Sequence, residues 1–106
     1  MAKGFTKQEI AKITELGGTI MYDNSFAMIP IGDAASIGIN KLDDQTWKPF
    51  IVSCRDARYN IEKKYNADNI DEGIVGVIKA FKEEAEAVLK AKQAIENFEV
   101  NLTKQV

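Results

Sequence analysis

The sequence predicts an α+β protein: a small four-stranded antiparallel meander with an N-terminal helix, a short middle helix and a long C-terminal helix. Three observations support this prediction. They are helix-capping residues near the amino terminus, two pairs of apolar segments separated by turn residues, and a heptad pattern over the last third of the chain. The 106 residues suit one domain. We divide it into an α+β head, residues 1 to 68, and a long oligomerising helix, residues 69 to 102.

The N-terminal helix is predicted from its capping residues. Thr6 and Glu9 have the spacing of a capping box, and Phe5 and Ile10 occupy the two positions of a hydrophobic staple. The apolar residues at helical spacing are Ile10, Ile13 and Leu16. Two glycines, at positions 17 and 18, then end the helix after about three turns.

Two hairpins are predicted between residues 19 and 54. TIMY and FAMIPI flank the turn residues 23 to 25, and SIGINKL and WKPFIVS flank the turn residues 43 to 45. Pro30 and Pro49 cannot donate a hydrogen bond to a neighbouring strand, so each is expected at a strand end or a sheet edge. The aromatic residues expected in the core are Tyr22, Trp47 and Phe50.

A short middle helix is predicted over residues 54 to 65. Ser53 and Asp56 have the spacing of a second capping box. The residues that would share one helical face are Cys54, Ala57, Ile61 and Tyr65. Asn69, followed by Glu72, then has the pattern of the N-cap of the last helix.

The last third of the chain has a heptad pattern. Apolar residues recur at alternating spacings of four and three from residue 70 to residue 102, and only Glu84 interrupts them. A helix from residue 69 to residue 98 would be about 45 Å long, whereas a compact domain of this size has a radius of gyration of roughly 13 Å. The helix therefore needs a surface beyond its own sheet, and we expect a homo-oligomer. The expected interface residues are Ile74, Val77, Phe81, Val88, Ile95 and Phe98.

A monomer is the alternative. Its long helix would bend or break and fold back on the sheet, and Gly73 and Gly76 are candidate positions for such a kink.

The composition excludes several classes of function. A net charge of −2 argues against binding to duplex nucleic acid, which normally requires a basic face. No apolar segment approaches the roughly 20 residues of a membrane span, and no signal-peptide pattern begins the chain. The chain has one cysteine and no histidine, which removes histidine-dependent catalysis and the common zinc sites. We therefore expect a cytoplasmic protein without a metal or cofactor, and a non-enzymatic function.

The two arginines are the candidate ligand-binding residues. Arg55 and Arg58 are the only arginines in the chain, and both fall in the first turns of the predicted middle helix. A helix N-terminus attracts anions, and guanidinium groups bind phosphate in a bidentate geometry. Tyr59 and Asn60 would add stacking and hydrogen bonds to a nucleotide. The alternative is structural, with Arg58 in an ion pair with Glu62.

The sequence is compatible with three functions. The first is an oligomeric, non-enzymatic protein that recognises or sequesters a phosphorylated small molecule, such as a nucleotide or signalling nucleotide, through Arg55 and Arg58. The second is a small accessory protein of the phage or bacterial type that acts by protein–protein interaction, as an inhibitor, an adaptor or an acidic mimic of nucleic acid. The third is a structural subunit whose heptad helix is itself the functional part.

Overall fold

The computed structural model describes residues 4 to 42 and 48 to 104. These residues form an α+β fold with an N-terminal helix, a five-stranded antiparallel sheet and a long C-terminal helix. The sheet is a meander in which each strand pairs with the next one along the chain. The elements are α1 (Lys7–Glu15), β1 (Thr19–Met21), β2 (Phe26–Ile31), β3 (Ala35–Lys41), β4 (Phe50–Asp56), β5 (Ile61–Ala67) and α2 (Ile70–Lys104).

The predicted capping box of α1 is confirmed. The backbone N–H of Thr6 donates to Glu9 Oε1 at 2.8 Å, and the backbone N–H of Glu9 donates to Thr6 Oγ1 at 3.2 Å. Gly17 ends the helix with a φ of +85°, a conformation that glycine adopts without strain. Ile13 is fully buried beneath the helix, whereas Leu16 is largely exposed, so the apolar stripe is shorter than predicted.

The first predicted hairpin is confirmed. β1 and β2 pair around a turn at residues 22 to 25. β1 pairs only with the first half of β2, so Pro30 lies in a part of β2 that has no neighbour on the β1 side among the described residues. This position satisfies the expectation that proline lies at an edge.

The second hairpin pairs β3 with β4, and its predicted turn at residues 43 to 45 lies outside the described residues. The expectation for the core aromatics is correct for Phe50, which is 3% exposed, and wrong for Tyr22, which is 72% exposed. Trp47 also lies outside the described residues.

The predicted middle helix is wrong, and a fifth strand takes its place. Residues 50 to 56 continue as β4, a turn follows at residues 57 to 60, and β5 returns antiparallel to β4. Asp56 does not cap a helix: its Oδ1 accepts a hydrogen bond of 2.8 Å from the backbone N–H of Arg58, which closes the turn. Asn60 has a φ of +54°, a turn conformation that asparagine tolerates.

Both helices pack on one face of the sheet, which we call the covered face. The buried apolar residues on and under this face are Phe5, Ile13, Ala27, Ile29, Ile37, Ile39, Phe50, Val52, Cys54, Ile70 and Val77. Asn69 caps α2 as predicted, because its Oδ1 accepts a hydrogen bond of 2.8 Å from the N–H of Glu72. The cap fixes the start of α2 directly after β5, so that the first turns of the helix cross the sheet.

The second half of α2 extends away from the sheet. The 35-residue helix is about 52 Å long, and the described chain measures 69 × 25 × 18 Å with a radius of gyration of 18.1 Å. The helix therefore does not fold back on the head. Among the described residues, no helix is both long and apolar enough to cross a membrane.

Candidate functional site: the open face of the sheet

The face of the sheet opposite the helices has no element packed on it among the described residues. Side chains alternate along each strand, so the neighbours of the buried residues Ala27, Ile39 and Val52 point to this other side. We call it the open face. It contains a concave cavity of about 300 Å³. The residues that line the cavity, and that define the open face, are Phe26, Met28, Ser36, Gly38, Asn40, Ile51, Ser53, Arg55, Glu62 and Lys64.

Gly38 forms the floor of the cavity. A Cβ atom at this position would lie 2.8 Å from Ser53 Oγ and 3.3 Å from Cζ of Phe26. The missing side chain therefore lets a hydroxyl group and an aromatic ring pack directly against the backbone of β3. The ring of Tyr22 lies against Phe26, with centroids 5.7 Å apart, and extends the aromatic wall. A glycine in the middle of a strand is commonly found where a ligand or another backbone approaches closely.

The charged residues of the open face come from β4 and β5. Arg55 lies directly across from Glu62 on one side and from Ser36 on the other. Lys64 lies across from Ser53, one row further along the sheet. With two cations against one carboxylate, the open face has one net positive charge, although the whole chain has a net charge of −2.

Arg55 is exposed and has no protein partner among residues 4–42 and 48–104. No side-chain hydrogen bond, ion pair or ring contact joins it to these residues, and the same holds for the side chains of Lys64 and Glu62. The guanidinium of Arg55 therefore keeps its donors free for a ligand. Since the neighbouring serines and Asn40 add further polar groups, the open face can bind a compact anion with hydrogen bonds from several directions.

The other three predicted ligand residues do not line the cavity. Arg58, Tyr59 and Asn60 lie in the β4–β5 turn, so the structure does not bring the two arginines together at a helix end. Arg58 Nη2 donates to Asp56 Oδ2 at 3.4 Å, and its guanidinium lies 5.5 Å from the centre of the Tyr59 ring. The predicted Arg58–Glu62 pair is also absent from the ion pairs of the described chain. Arg58 therefore has a local structural role.

The pKa of Asp56 reflects this contact. Burial by itself would raise the pKa of the carboxyl group. The side-chain and backbone hydrogen bonds from Arg58, together with its positive charge, outweigh burial and lower the pKa below its ordinary value. The same pairing raises the pKa of the Arg58 guanidinium. Both groups are therefore charged at neutral pH and bind each other.

The comparisons with known proteins add no functional information. No family model, no curated protein and no solved structure matches this chain.

The described residues contain no group of three or more histidine, cysteine, aspartate or glutamate side chains that could bind a metal ion. Cys54 points to the covered face, where it is 4% exposed. Burial, and then the negative charge of Asp56, raise the pKa of its thiol, so it remains protonated. Cys54 is therefore a core residue that lies away from the open face.

Sequence reasoning found only one member of the site, Arg55. It missed Lys64, Ser36 and Gly38 because it assigned residues 54 to 65 to a helix. The alternation of apolar and polar residues from Val52 to Arg55 was the available indication of a strand. With that strand extended through Arg55, the arginine falls on the face opposite Val52 and Cys54.

Proposed function

We propose that this protein is a non-enzymatic homo-oligomer that binds a phosphorylated small molecule on the open face of its sheet. The observation that supports this most directly is Arg55, whose side chain has no partner among residues 4–42 and 48–104 and which lines a concave surface together with Gly38. The cavity of about 300 Å³ is at the lower end of the size range of small-molecule sites, which favours a compact ligand such as a mononucleotide.

The spacing of the aromatic and cationic groups suits a nucleotide. The tip of the Phe26 ring lies over Gly38, on β3. Gly38 is paired with Ser53, which is two residues before Arg55 on β4. One strand spacing and two residues along a strand separate these points by roughly 8 Å. A base that stacks on Phe26 would therefore direct its phosphate towards Arg55.

The residues of the open face favour binding over catalysis. Glu62 is the one carboxylate among them, and no thiol or imidazole accompanies it. Hydroxyl, amide and guanidinium groups can hold a phosphate without breaking it. The protein would therefore recognise or sequester its ligand.

The two arginines provide a matched experiment. Arg55→Gln removes the cation of the open face, whereas Arg58→Gln removes the cation of the turn. AMP, GMP and inorganic phosphate serve as probes in isothermal titration calorimetry. Arg55→Gln is expected to weaken nucleotide binding about 10- to 100-fold, the effect of losing a charged hydrogen bond worth roughly 1.5–3 kcal/mol. Arg58→Gln is expected to leave the affinity unchanged.

The proposal fails if no phosphorylated probe binds and native mass spectrometry of protein purified from cells detects no phosphorylated ligand. Equal loss of affinity in both arginine variants would also contradict it, because a general electrostatic effect would then explain binding. Chemical-shift changes confined to the open-face residues on titration with AMP would support it.

A second function, that of a structural or adaptor protein, is favoured by a different observation. The second half of α2, which extends away from the sheet, exposes large apolar residues, with Ile95 68% and Phe98 69% exposed. The structural function would be favoured if substitutions of Arg55 and Arg58 had no effect and the protein assembled into particles larger than a closed oligomer. Purification in a stable complex with one identified protein would favour the adaptor.

A further inference from the structure

The turn between β1 and β2, residues 22 to 25, holds an aromatic residue in a backbone conformation that aromatic residues rarely adopt. Tyr22, Asp23 and Asn24 have φ values of +57°, +56° and +64°. The N–H of Ser25 donates to the carbonyl of Tyr22 at 3.1 Å, so Asp23 and Asn24 are the central residues of a tight turn. Aspartate and asparagine tolerate a positive φ there, whereas a bulky residue does not. Tyr22 is therefore the strained residue of the turn.

Hydrogen bonds from other parts of the chain hold this turn in place. The Oγ of Ser25 also donates to the carbonyl of Tyr22, at 2.6 Å. The backbone N–H of Phe5 donates to the carbonyl of Asn24 at 2.6 Å, and the N–H of Lys41 donates to the carbonyl of Ser25 at 2.9 Å. The surrounding structure therefore fixes the backbone of Tyr22, although asparagine would occupy the same position without strain.

The side chain of Tyr22 contributes little burial in return for this strain. It is 72% exposed, and its ring contacts the ring of Phe26 on the open face. Backbone strain that burial does not explain is typical of a binding site. We propose that Tyr22 and Phe26 together bind the base of a nucleoside 5′-phosphate whose phosphate group lies at Arg55. The assignment rests on the proposed function and specifies the class of ligand as a phosphate that is linked to a flat aromatic base.

The rings of Tyr22 and Phe26 form an open angle rather than a stack. Their centroids are 5.7 Å apart, and their planes are tilted by 52°. A base can therefore lie flat on one ring while it meets the edge of the other. Both arrangements are favourable between aromatic groups at centroid distances of about 4.5–7 Å. The pair thus offers one stacking contact and one edge contact to a single base.

The register of the strands gives the cavity an apolar end and a charged end. Phe26 and Ile51 share the row of the sheet nearest to the β1–β2 turn. Arg55 and Glu62 share the row at the other end of the cavity, and the row of Gly38 lies between the two. A ligand that spans the cavity therefore needs a flat apolar group at one end and an anion at the other. A nucleoside 5′-phosphate has this form, whereas a sugar phosphate supplies only the anionic end.

Two substitutions of Tyr22 separate a binding role from a structural one. Tyr22→Asn suits the turn but removes the ring, whereas Tyr22→Phe keeps both the ring and the strain. In calorimetry with AMP, Tyr22→Asn should raise the dissociation constant roughly 5- to 100-fold, the usual effect of losing one base-stacking side chain. Tyr22→Phe should bind AMP like the wild type. The melting temperature of Tyr22→Asn should not fall, because the substitution relieves the strain.

Ribose 5-phosphate shows whether the effect depends on the base, since it carries the sugar and the phosphate of AMP alone. NMR titration should give it a lower affinity than AMP, and Tyr22→Asn should leave that affinity unchanged. Arg55→Gln, in contrast, should weaken the binding of both ligands. Tyr59→Asn removes an aromatic ring from the β4–β5 turn, which does not line the cavity, and is the matched control. It should leave the affinity for both ligands unchanged.

Equal affinities of the wild type for AMP and ribose 5-phosphate would overturn the assignment of Tyr22, as would an equal loss of both in Tyr22→Asn. In either case, binding that depends on Arg55 would still support the proposed function, so the two proposals can fail separately. If neither compound binds to the wild type, both are overturned. A lower melting temperature of Tyr22→Asn would assign the tyrosine a structural role and would overturn its assignment as a base-binding residue.

Discussion

Glu84 Oε1 lies 2.7 Å from Lys63 Nζ, so the residue that interrupts the heptad pattern is ion-paired with β5 of its own protomer. Both side chains are partly exposed. The pair lies at the point where α2 passes from the covered face into solvent. The interruption therefore marks the boundary between the half of α2 that completes the core and the half that projects from it.

Replacement of this glutamate should strengthen self-association. Glu84→Leu makes the heptad series of apolar residues in α2 continuous. Burial of a leucine contributes roughly 1.5–3 kcal/mol, whereas the lost, partly exposed ion pair contributes about 0–1 kcal/mol. The dissociation constant of the proposed homo-oligomer, measured by sedimentation equilibrium, should fall at least severalfold. Glu83→Leu, one position away from the heptad series, is the control, and an equal effect of the two variants would contradict this explanation.

The close contact between α2 and β4 predicts an unusual response to alanine. Gly73 is buried, and a Cβ atom there would collide with the side chain of Val52 in the core. Alanine normally stabilises a helix by about 1 kcal/mol relative to glycine. Here Gly73→Ala should instead destabilise the protein by roughly 1–3 kcal/mol, because the packed core must move. Urea unfolding would measure the difference.

Gly76→Ala is the matched control for that variant. Its Cβ would lie 2.6 Å from the ring of Tyr65, which is 38% exposed and can turn towards solvent. The loss of stability should therefore be clearly smaller than for Gly73→Ala. If the two variants were equally destabilised, core packing at Val52 would not be the cause.

The Asp56–Arg58 contact predicts a loss of stability in acid. The pKa of Asp56 is lowered in the folded protein, so the unfolded chain binds the proton more readily. The contribution of the Asp56 carboxylate to the free energy of unfolding is complete above the pKa of aspartate in the unfolded chain, about 3.9. It is lost as the pH falls through the lower pKa that Asp56 has in the folded protein. Asp56→Asn should reduce the fall in unfolding free energy between about pH 6 and about pH 2.5.

Arg58→Gln should reduce the same acid-dependent loss, because the carboxyl group would no longer be held in its charged form by the guanidinium. Urea titrations across this pH range measure the slope. Arg55→Gln is the control, since Arg55 does not contact Asp56 among the described residues. If the unfolding free energy of Arg58→Gln depended on pH as steeply as that of the wild type, a carboxyl group other than Asp56 would be responsible for the acid-dependent loss of stability.

The buried thiol predicts slow chemical modification. Cys54 is 4% exposed, and burial raises the pKa of its thiol, so both access and the thiolate fraction are low. Its reaction with an aromatic disulfide reagent should be many times slower than that of a cysteine placed at the exposed position Thr103. The rate should rise through the urea unfolding transition. Equal rates in the native protein would contradict the burial of β4.

Short-range patterns were predicted correctly from the sequence. The Thr6–Glu9 capping box and the Asn69 cap each depend on residues three apart, and both are confirmed. The first hairpin is also local, since one turn joins its strands. Such contacts form within a few residues, so the local sequence is sufficient to specify them.

The middle segment could not be assigned in this way. Ile61 and Tyr65 are four residues apart, a spacing that places two side chains on one face of either a helix or a strand. Asp56 likewise has the position of a helix cap and of a turn residue. The segment is a strand because Cys54 pairs with Ile37 of β3. These two residues are 17 positions apart in the chain, so a local pattern does not reveal their pairing.

The sequence by itself determined the class of the fold, the caps of the first and last helices and the long C-terminal helix, and it predicted Arg55 as a candidate ligand-binding residue. Tertiary structure alone decided that Arg55 lies beside Ser36 and Lys64, whereas Arg58 binds Asp56. It also decided which half of α2 is buried. The physical reason is that strand register and helix docking depend on residues far apart in the chain, and burial of the covered face selects one arrangement among several that local patterns allow.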